Sequence, residues 1–292
     1  MTQRLMAVHA HPDDESSKGA ATYAYYRSRG VEVMVVTCTG GERGDVLNEE
    51  LAHRAMAERD LPGLRRQEMA AAQAIMGVDQ RWLGYMDSGM ASDDGTVPAN
   101  SFADIPVEIS TEPLVRLVRS FRPHVMVTYD ENGGYPHPDH IRSHVIGVEA
   151  YAAAADPARY ADAGEPWQVS KLYYERIMNS RRFTSLYELL TQHEPESPLI
   201  ARIEEMRGWM QDRPYLGTTQ VPAGEFFQAR DDALRAHASQ VAPDNPFFFW
   251  PNDLLQRAWP FEDYQLIDSK VETTMPETDL FAGIDAEGGA GA

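Results

Sequence analysis

The strongest constraint on this chain is a change of period that recurs through its first 180 residues. Short runs rich in β-branched and apolar residues, Leu5–Ala10, Glu32–Thr39, Arg81–Tyr85, His124–Tyr129 and Leu172–Met178, read as strands. Between them, near Ser16–Arg29, Leu64–Met76, Thr111–Phe121 and Ile141–Ala154, apolar residues recur at helical spacing. The Leu64–Met76 helix is predicted to bury Leu64, Ala71, Ala72 and Ile75, with Gly77 as its stop. Alternating strands and helices pack stably as crossover units, so the expected fold is α/β: a Rossmann-like, mostly parallel sheet with helices on both faces. From about Phe183 the pattern turns helical and is broken by prolines, ending in an amphipathic stretch from Glu225 to Gln240. The expected organisation is a core over residues 1–180 and a smaller, mainly helical C-terminal lobe over 181–292 closing the substrate pocket. The terminal EGGAGA reads as a disordered tail.

Composition narrows the partners. At 43% hydrophobic residues the chain can build a real core, yet no apolar run approaches the ~20 residues that span a bilayer. The N-terminus lacks the charged, apolar and small-residue succession of a signal peptide. The single cysteine, Cys38, excludes an internal disulfide, and the expected location is cytoplasmic. With 26 basic against 45 acidic residues the net charge is −19, which argues against nucleic acid or an anionic membrane as partner. A small-molecule substrate is expected; oligomeric state is not legible in the sequence.

Two polar loops carry the chemistry. HAHPDDES follows the first strand, and DENGGYPHPDHIRSH (Asp130 to His144) follows the strand ending at Tyr129. In open α/β sheets ligands bind beyond the carboxyl ends of the strands, so parallel strands would open both loops on one side. Each loop holds an HPD triplet, His11-Pro12-Asp13 and His137-Pro138-Asp139. His11 and Asp14, three apart across a proline turn, can point at one ion, and His140 is placed to supply a third ligand. Asp13, adjacent but not needed as a ligand, suits a general base toward water acidified by the ion. His137 and Tyr135 remain as donors for charge developing on a carbonyl oxygen. Histidine ligands fit zinc, one per chain, or another divalent transition metal such as Fe2+ better than magnesium. A helix cap would account for Asp13, Asp14 and Ser16, but for neither His11 nor the repeated triplet. Cys38 reads as a small core residue, and His9 as packing beneath the site.

HPDDE near the N-terminus paired with HPDH after a strand resembles the LmbE-like (PIG-L) N-acetylglucosaminyl-inositol deacetylase superfamily. TCTGGERG, LRRQEMAAAQAIMGV and RDDALRAHASQ agree with it. Within the superfamily, HAHPDDESSKGA, DAGEPWQVSKLYY and PETDLFAGI are most similar to the branch that hydrolyses mycothiol S-conjugates, whereas 179–222 departs from that branch. The resemblance implies a zinc-dependent amide hydrolase with ligands at His11, Asp14 and His140 and Asp13 as base. It also implies His137 and Tyr135 as stabilisers of the tetrahedral intermediate, and Asp139 as the group that orients His137. It places Arg65, Asp87 and Glu42 around a glucosaminyl-inositol, the helix holding His237 over the pocket, and Lys18 toward the longer thiol-conjugate substrate. The alternatives are a deacetylase of N-acetylglucosaminyl-inositol and a non-catalytic, metal-stabilised sugar-binding protein.

Overall fold

The structure, a computed structural model, describes residues 2–210 and 212–284. The chain runs through β1 (Arg4–His9), α1 (Asp14–Ser17), α2 (Ala20–Arg27), β2 (Glu32–Thr39), α3 (Arg54–Arg59), α4 (Leu61–Met76) and β3 (Asp79–Tyr85). It continues through α5 (Val107–Phe121), β4 (Val125–Thr128), α6 (Pro138–Ala153), β5 (Lys171–Glu175), α7 (Ser180–His193) and α8 (Leu199–Met210). Last come β6 (Thr219–Val221), α9 (Phe227–Ala236), α10 (Asn252–Ala258) and β7 (Glu262–Ser269). The described strands form one seven-stranded sheet in the order β3-β2-β1-β4-β5-β7-β6. Neighbours from β3 to β5 pair in parallel, while β7 runs antiparallel to both β5 and β6.

Side-chain alternation gives each face of the sheet its own core. Leu5, Ala7, Val33, Val35, Val125 and Val127 pack against Tyr23, Met69, Phe183 and Phe227 from α2, α4, α7 and α9. Met6, Val8, Met34, Val36, Cys38 and Met126 pack against α5 and α6 through Leu114, Val118, Ile146 and Ala150. Burial on both faces is why these strands read as continuous apolar runs. Strand order reverses at β1: the chain moves outward through β2 and β3, then returns to lay β4 on the other side of β1. The crevice at the carboxyl ends of β1 and β4 is therefore a topological switch point, and both polar loops open into it.

Three local expectations change. The helix expected over Ser16–Arg29 breaks at Lys18–Gly19 into α1 and α2. Gly19 permits the break, since a Cβ there would meet the Tyr23 ring at 2.4 Å. Helix α4 begins earlier, capped by Asp60, whose carboxylate accepts from Gly63 N at 2.9 Å. Its buried face is Leu64, Arg65, Glu68, Met69, Ala72 and Met76, while Ala71 and Ile75 face outward. The rotation brings Arg65 and Glu68 inward because each finds polar partners there: Pro12 and Asp13 for Arg65, Ser239 for Glu68. The C-terminal portion supplies α7–α10 but also β6 and β7, strands that its periodicity does not show. The EGGAGA tail lies outside the described residues, and no described helix is long and apolar enough to cross a membrane.

Candidate metal and catalytic site

The two loops meet. His140 Nε2 lies 3.3 Å from His11 Nδ1 and 3.4 Å from Asp14 Oδ2, and His11 Nδ1 lies 3.6 Å from the same carboxylate oxygen. Tetrahedral zinc with bonds of ~2.0–2.1 Å sets its ligand atoms about 3.3 Å apart, so these three atoms have the mutual spacing of one metal's ligands. A second set, His11, His137 and Asp139, is also close enough to share an ion, all its ligand atoms lying within 4.8 Å of one another. Hydrogen bonding favours the first set, because each of its ligand atoms is turned toward a common point by a partner behind it.

Those partners are specific. His140 Nδ1 donates to Gly133 O at 2.9 Å, leaving the Nε2 lone pair free. His11 Nε2 lies 3.3 Å from Asp139 Oδ2 and 3.6 Å from Asp87 Oδ1, which assigns the proton to Nε2 and the lone pair to Nδ1. Asp14 accepts from His11 N at 3.0 Å through Oδ2, and its Oδ1 takes the Lys18 ammonium. Burial holds His140 neutral, lowering its pKa to about 3. Burial also lowers His11, but its bonds with Asp139, Asp14 and Asp87 outweigh that and raise it well above its ordinary value. Three carboxylates converging on one imidazole favour a cation at this point, whether a proton or a metal.

Asp13 stands beside this set in an unusual conformation. Its φ is 111°, in the left-handed region that disfavours residues with a Cβ, and it makes no capping bond to α1. Capping therefore does not account for it, nor for Asp14, whose carboxylate turns to His11 N, or Ser16, whose hydroxyl donates to Glu15 at 2.6 Å. Arg65 Nη2 spans Pro12 O at 2.6 Å and Asp13 Oδ2 at 3.2 Å. Gly41, at φ 69°, gives the guanidinium room: a Cβ there would lie 2.0 Å from Nη1. Burial raises the Asp13 carboxyl above its ordinary value against the pull of Arg65, making it a better proton acceptor once ionised.

On the other side, His137 caps α6, its Nδ1 accepting from Asp139 N at 3.1 Å, so Nε2 carries the proton and can donate. Its ring meets His11 edge-on at 4.7 Å between centroids. Tyr135 is half exposed and packs on His140 at 4.5 Å. Asp139 departs from its expected task. Its carboxylate, fully buried, sits on His11 and accepts from Ser88 N at 2.9 Å, while its backbone N–H fixes His137.

The four residues expected around the substrate are largely taken up by the protein. Lys18 does not reach outward: its ammonium sits on Asp14 and over the Tyr129 ring. Glu42 accepts from Gly40 N and Asp87 N. Asp87 accepts from Arg43 N at 3.1 Å and Gly89 N at 2.7 Å, and Arg65 is 4% exposed, held by Pro12 O and Asp13. A further pair escaped the sequence reading. His237, just beyond α9, meets Glu15 at 2.7 Å, both fully buried. Burial raises Glu15, but His237 overrides it and lowers its pKa to about 2. Glu15 also accepts from Asp13 N at 3.0 Å, so the C-terminal portion holds the Asp13 peptide in its strained turn. Residues 222 apart leave no periodic signal that could have paired them.

With this geometry in place, residues 6–151 match the family described as PIG-L, GlcNAc-PI de-N-acetylase. A mycothiol S-conjugate amidase from Streptomyces coelicolor is 48% identical over 285 residues, covering 96% of this chain and 97% of the relative. The chain belongs to the PIG-L family. A 1D-myo-inositol 2-acetamido-2-deoxy-alpha-D-glucopyranoside deacetylase from Streptomyces griseus is 41% identical over 303 residues, covering 99% of this chain and 93% of the relative. Among solved structures, the N,N'-diacetylchitobiose deacetylase from Pyrococcus horikoshii superposes with a TM-score of 0.60 at 18% identity, covering 91% of this chain and 84% of that one. A 4-carboxy-2-hydroxymuconate hydratase from Pseudomonas putida reaches 0.61 at 16% identity over 94% and 99% of the two chains. These two likenesses concern the fold alone, and the second shows that the fold by itself does not set the reaction.

Proposed function

We propose that this PIG-L family member, a hydrolase of amide bonds, cleaves the cysteinyl–glucosamine amide of mycothiol S-conjugates, releasing an N-acetylcysteine S-conjugate and glucosaminyl-inositol. The chemistry rests on the metal-spaced atoms of His11, Asp14 and His140 beside a carboxylate they do not use. The substrate rests on the 48% likeness to the amidase across nearly the whole chain. Residues His11 Nδ1, Asp14 Oδ2 and His140 Nε2 are the set for one zinc ion, and Fe2+ suits the same donors. Such an ion supplies Lewis acidity toward the amide carbonyl and lowers the pKa of water to about 7.

The chain's own groups then divide the work. Asp13 accepts a proton as water's oxygen bonds to the carbonyl carbon, and Arg65 holds that carboxylate in place. The His137 Nε2–H and the Tyr135 hydroxyl donate to the oxygen that gains negative charge in the tetrahedral intermediate. Asp13 passes its proton to the glucosamine nitrogen as the C–N bond breaks, giving a carboxylic acid and an amine, and the acid's remaining proton then moves to the amine to leave a carboxylate and an ammonium. His11, held by Asp139 and Asp87, and Asp14, held by Lys18, keep the donor set aligned.

The second reading is deacetylation of N-acetylglucosaminyl-inositol, supported by the 41% likeness to the inositol deacetylase. A paired assay on zinc-loaded protein separates the two: a fluorescent mycothiol S-conjugate and N-acetylglucosaminyl-inositol are offered separately, following amine release. Strong preference for the conjugate is expected; preference for the acetyl sugar would replace the amidase reading with the deacetylase one.

A further inference from the structure

Beside the metal set, on the same carboxyl edge of the sheet, lies a small, partly open cavity. Ser17 of α1 lines one wall, three residues after Asp14, its Oγ 3.4 Å from the ammonium of Lys18. Another wall comes from the segment that leaves β5, with Arg182 and Phe183, and Phe248, Trp250 and Arg230 are among the other lining residues. The walls are thus mostly apolar, but two guanidiniums are set into them.

Those guanidiniums are not equivalent. Arg230 pairs with Asp231 through Nε and Nη2, at 3.0 and 2.7 Å, and leaves a buried Nη1 without a hydrogen-bond partner among the described residues. Arg182 is 6% exposed, and its guanidinium makes no hydrogen bond or ion pair among the described residues; only its backbone N–H is engaged, by Asn179. The acids nearest in charge, Glu262 and Asp263, are engaged elsewhere: Glu262 accepts from Thr22 N, and Asp263 from Asn179, Tyr215 and Trp259. A mostly buried guanidinium with no protein partner is costly in an apolar wall, and the nitrogens of Arg182, unlike the Nη1 of Arg230, keep some surface open. The strain of burial and of the nearby Arg230 charge lowers the Arg182 pKa to about 10. An anionic group entering the cavity relieves both.

We propose that this cavity seats the S-linked group of the substrate, and that it favours a flat, apolar group bearing a carboxylate, with Arg182 as the residue that reads the charge. The proposal rests on the amidase reading and names its substrate class. Ser17 and Lys18 connect the cavity to the metal set, so one substrate can place its amide at His11 and its thioether substituent against Phe183 and Trp250. Charge-assisted hydrogen bonds to a buried partner are worth ~1.5–3 kcal/mol, or about tenfold and upward in specificity.

The test compares kcat/KM for the S-benzyl, S-(4-carboxybenzyl) and S-(4-methoxycarbonylbenzyl) conjugates of mycothiol on the zinc-loaded protein. The wild-type enzyme should favour the acid over its methyl ester about tenfold or more. Arg182→Gln should bring that ratio near one, and Arg182→Lys, which keeps a charge and guards against a folding defect, should fall between. A wild-type ratio near one, or an unchanged ratio in Arg182→Gln, overturns the proposal. If no conjugate is cleaved while the acetyl sugar is, the amidase reading fails separately. The cavity is then judged by calorimetry with N-acetyl-S-(4-carboxybenzyl)cysteine: binding lost in Arg182→Gln upholds an organic-anion site, and no binding by the wild-type protein removes it.

Discussion

The same three letters, His-Pro-Asp, occur twice at the site and do opposite things. In the first triplet the histidine turns its Nδ1 to the metal set, and the aspartate stands in a left-handed turn with its carboxylate toward Arg65. In the second the histidine caps a helix and keeps a donor free, while the aspartate lies fully buried within that helix and grips the first triplet's histidine. The difference is in the backbone. Pro12 leads into a turn that pushes Asp13 outward, whereas Pro138 occupies the first turn of α6, where its missing N–H costs nothing and its neighbours become helical. Residue identity offers the chemistry, and the local conformation chooses the role.

The sharpest way to break this contrast is to remove each aspartate's carboxylate. Asp13→Ala should retain metal and lose turnover by about 10²–10⁴, the usual contribution of a positioned base. Metal content measured beside kcat checks it, and an unchanged kcat would deny Asp13 its role. His137→Phe should lower kcat by about 10²–10³ with metal content intact, as the loss of one donor to a developing oxyanion does. A loss of metal instead would move His137 into the ligand set and favour the alternative cluster with His11 and Asp139. Asp139→Asn should act chiefly on the metal, weakening its affinity by about 10–100-fold through His11 while kcat at saturating metal falls much less. Matching kcat losses in Asp13→Ala and Asp139→Asn, both fully loaded, would erase the distinction between the triplets.

The contrast also explains what was legible in the sequence. β1, β2 and β4 stand out because both faces of the sheet are buried and their residues run apolar without interruption. β7 does not, since it opens with Glu262 and Asp263, both fully buried and held by the nearby Trp259 and by Thr22, Asn179 and Tyr215 from distant parts of the chain. β6 has only three residues, too few for any period to register. At the site, the crowding of His11, Asp13 and Asp14, and its echo at His137 to His140, was visible because each cluster is local. The partner of Asp139 lies 128 residues away, and that of Glu15 lies 222 away. Only the fold brings them together, so where the side chains of Asp139 and Lys18 turn is not legible in the sequence. The same distance explains why the burial of Arg65 under Pro12 is not legible in the Leu64–Met76 pattern.

The smallest effect tests the backbone argument itself, without reference to catalysis. At Asp13 the left-handed φ penalises any Cβ, so Asp13→Gly should be more stable than Asp13→Ala by about 1 kcal/mol. At Asp139, inside α6, the order should reverse, because glycine in a helix costs up to about 1 kcal/mol relative to alanine. Comparing glycine with alanine at one position cancels the loss of the carboxylate, which both variants share. For a chain of this size each difference corresponds to a Tm change of about 2 °C, readable by calorimetry on metal-free protein where ligand binding does not contribute. Opposite signs at the two positions would tie the division of labour between the triplets to their conformations. A preference for alanine at both would mean that Asp13 relaxes out of its turn once its carboxylate is gone, and that Arg65, which grips that carboxylate, holds it there.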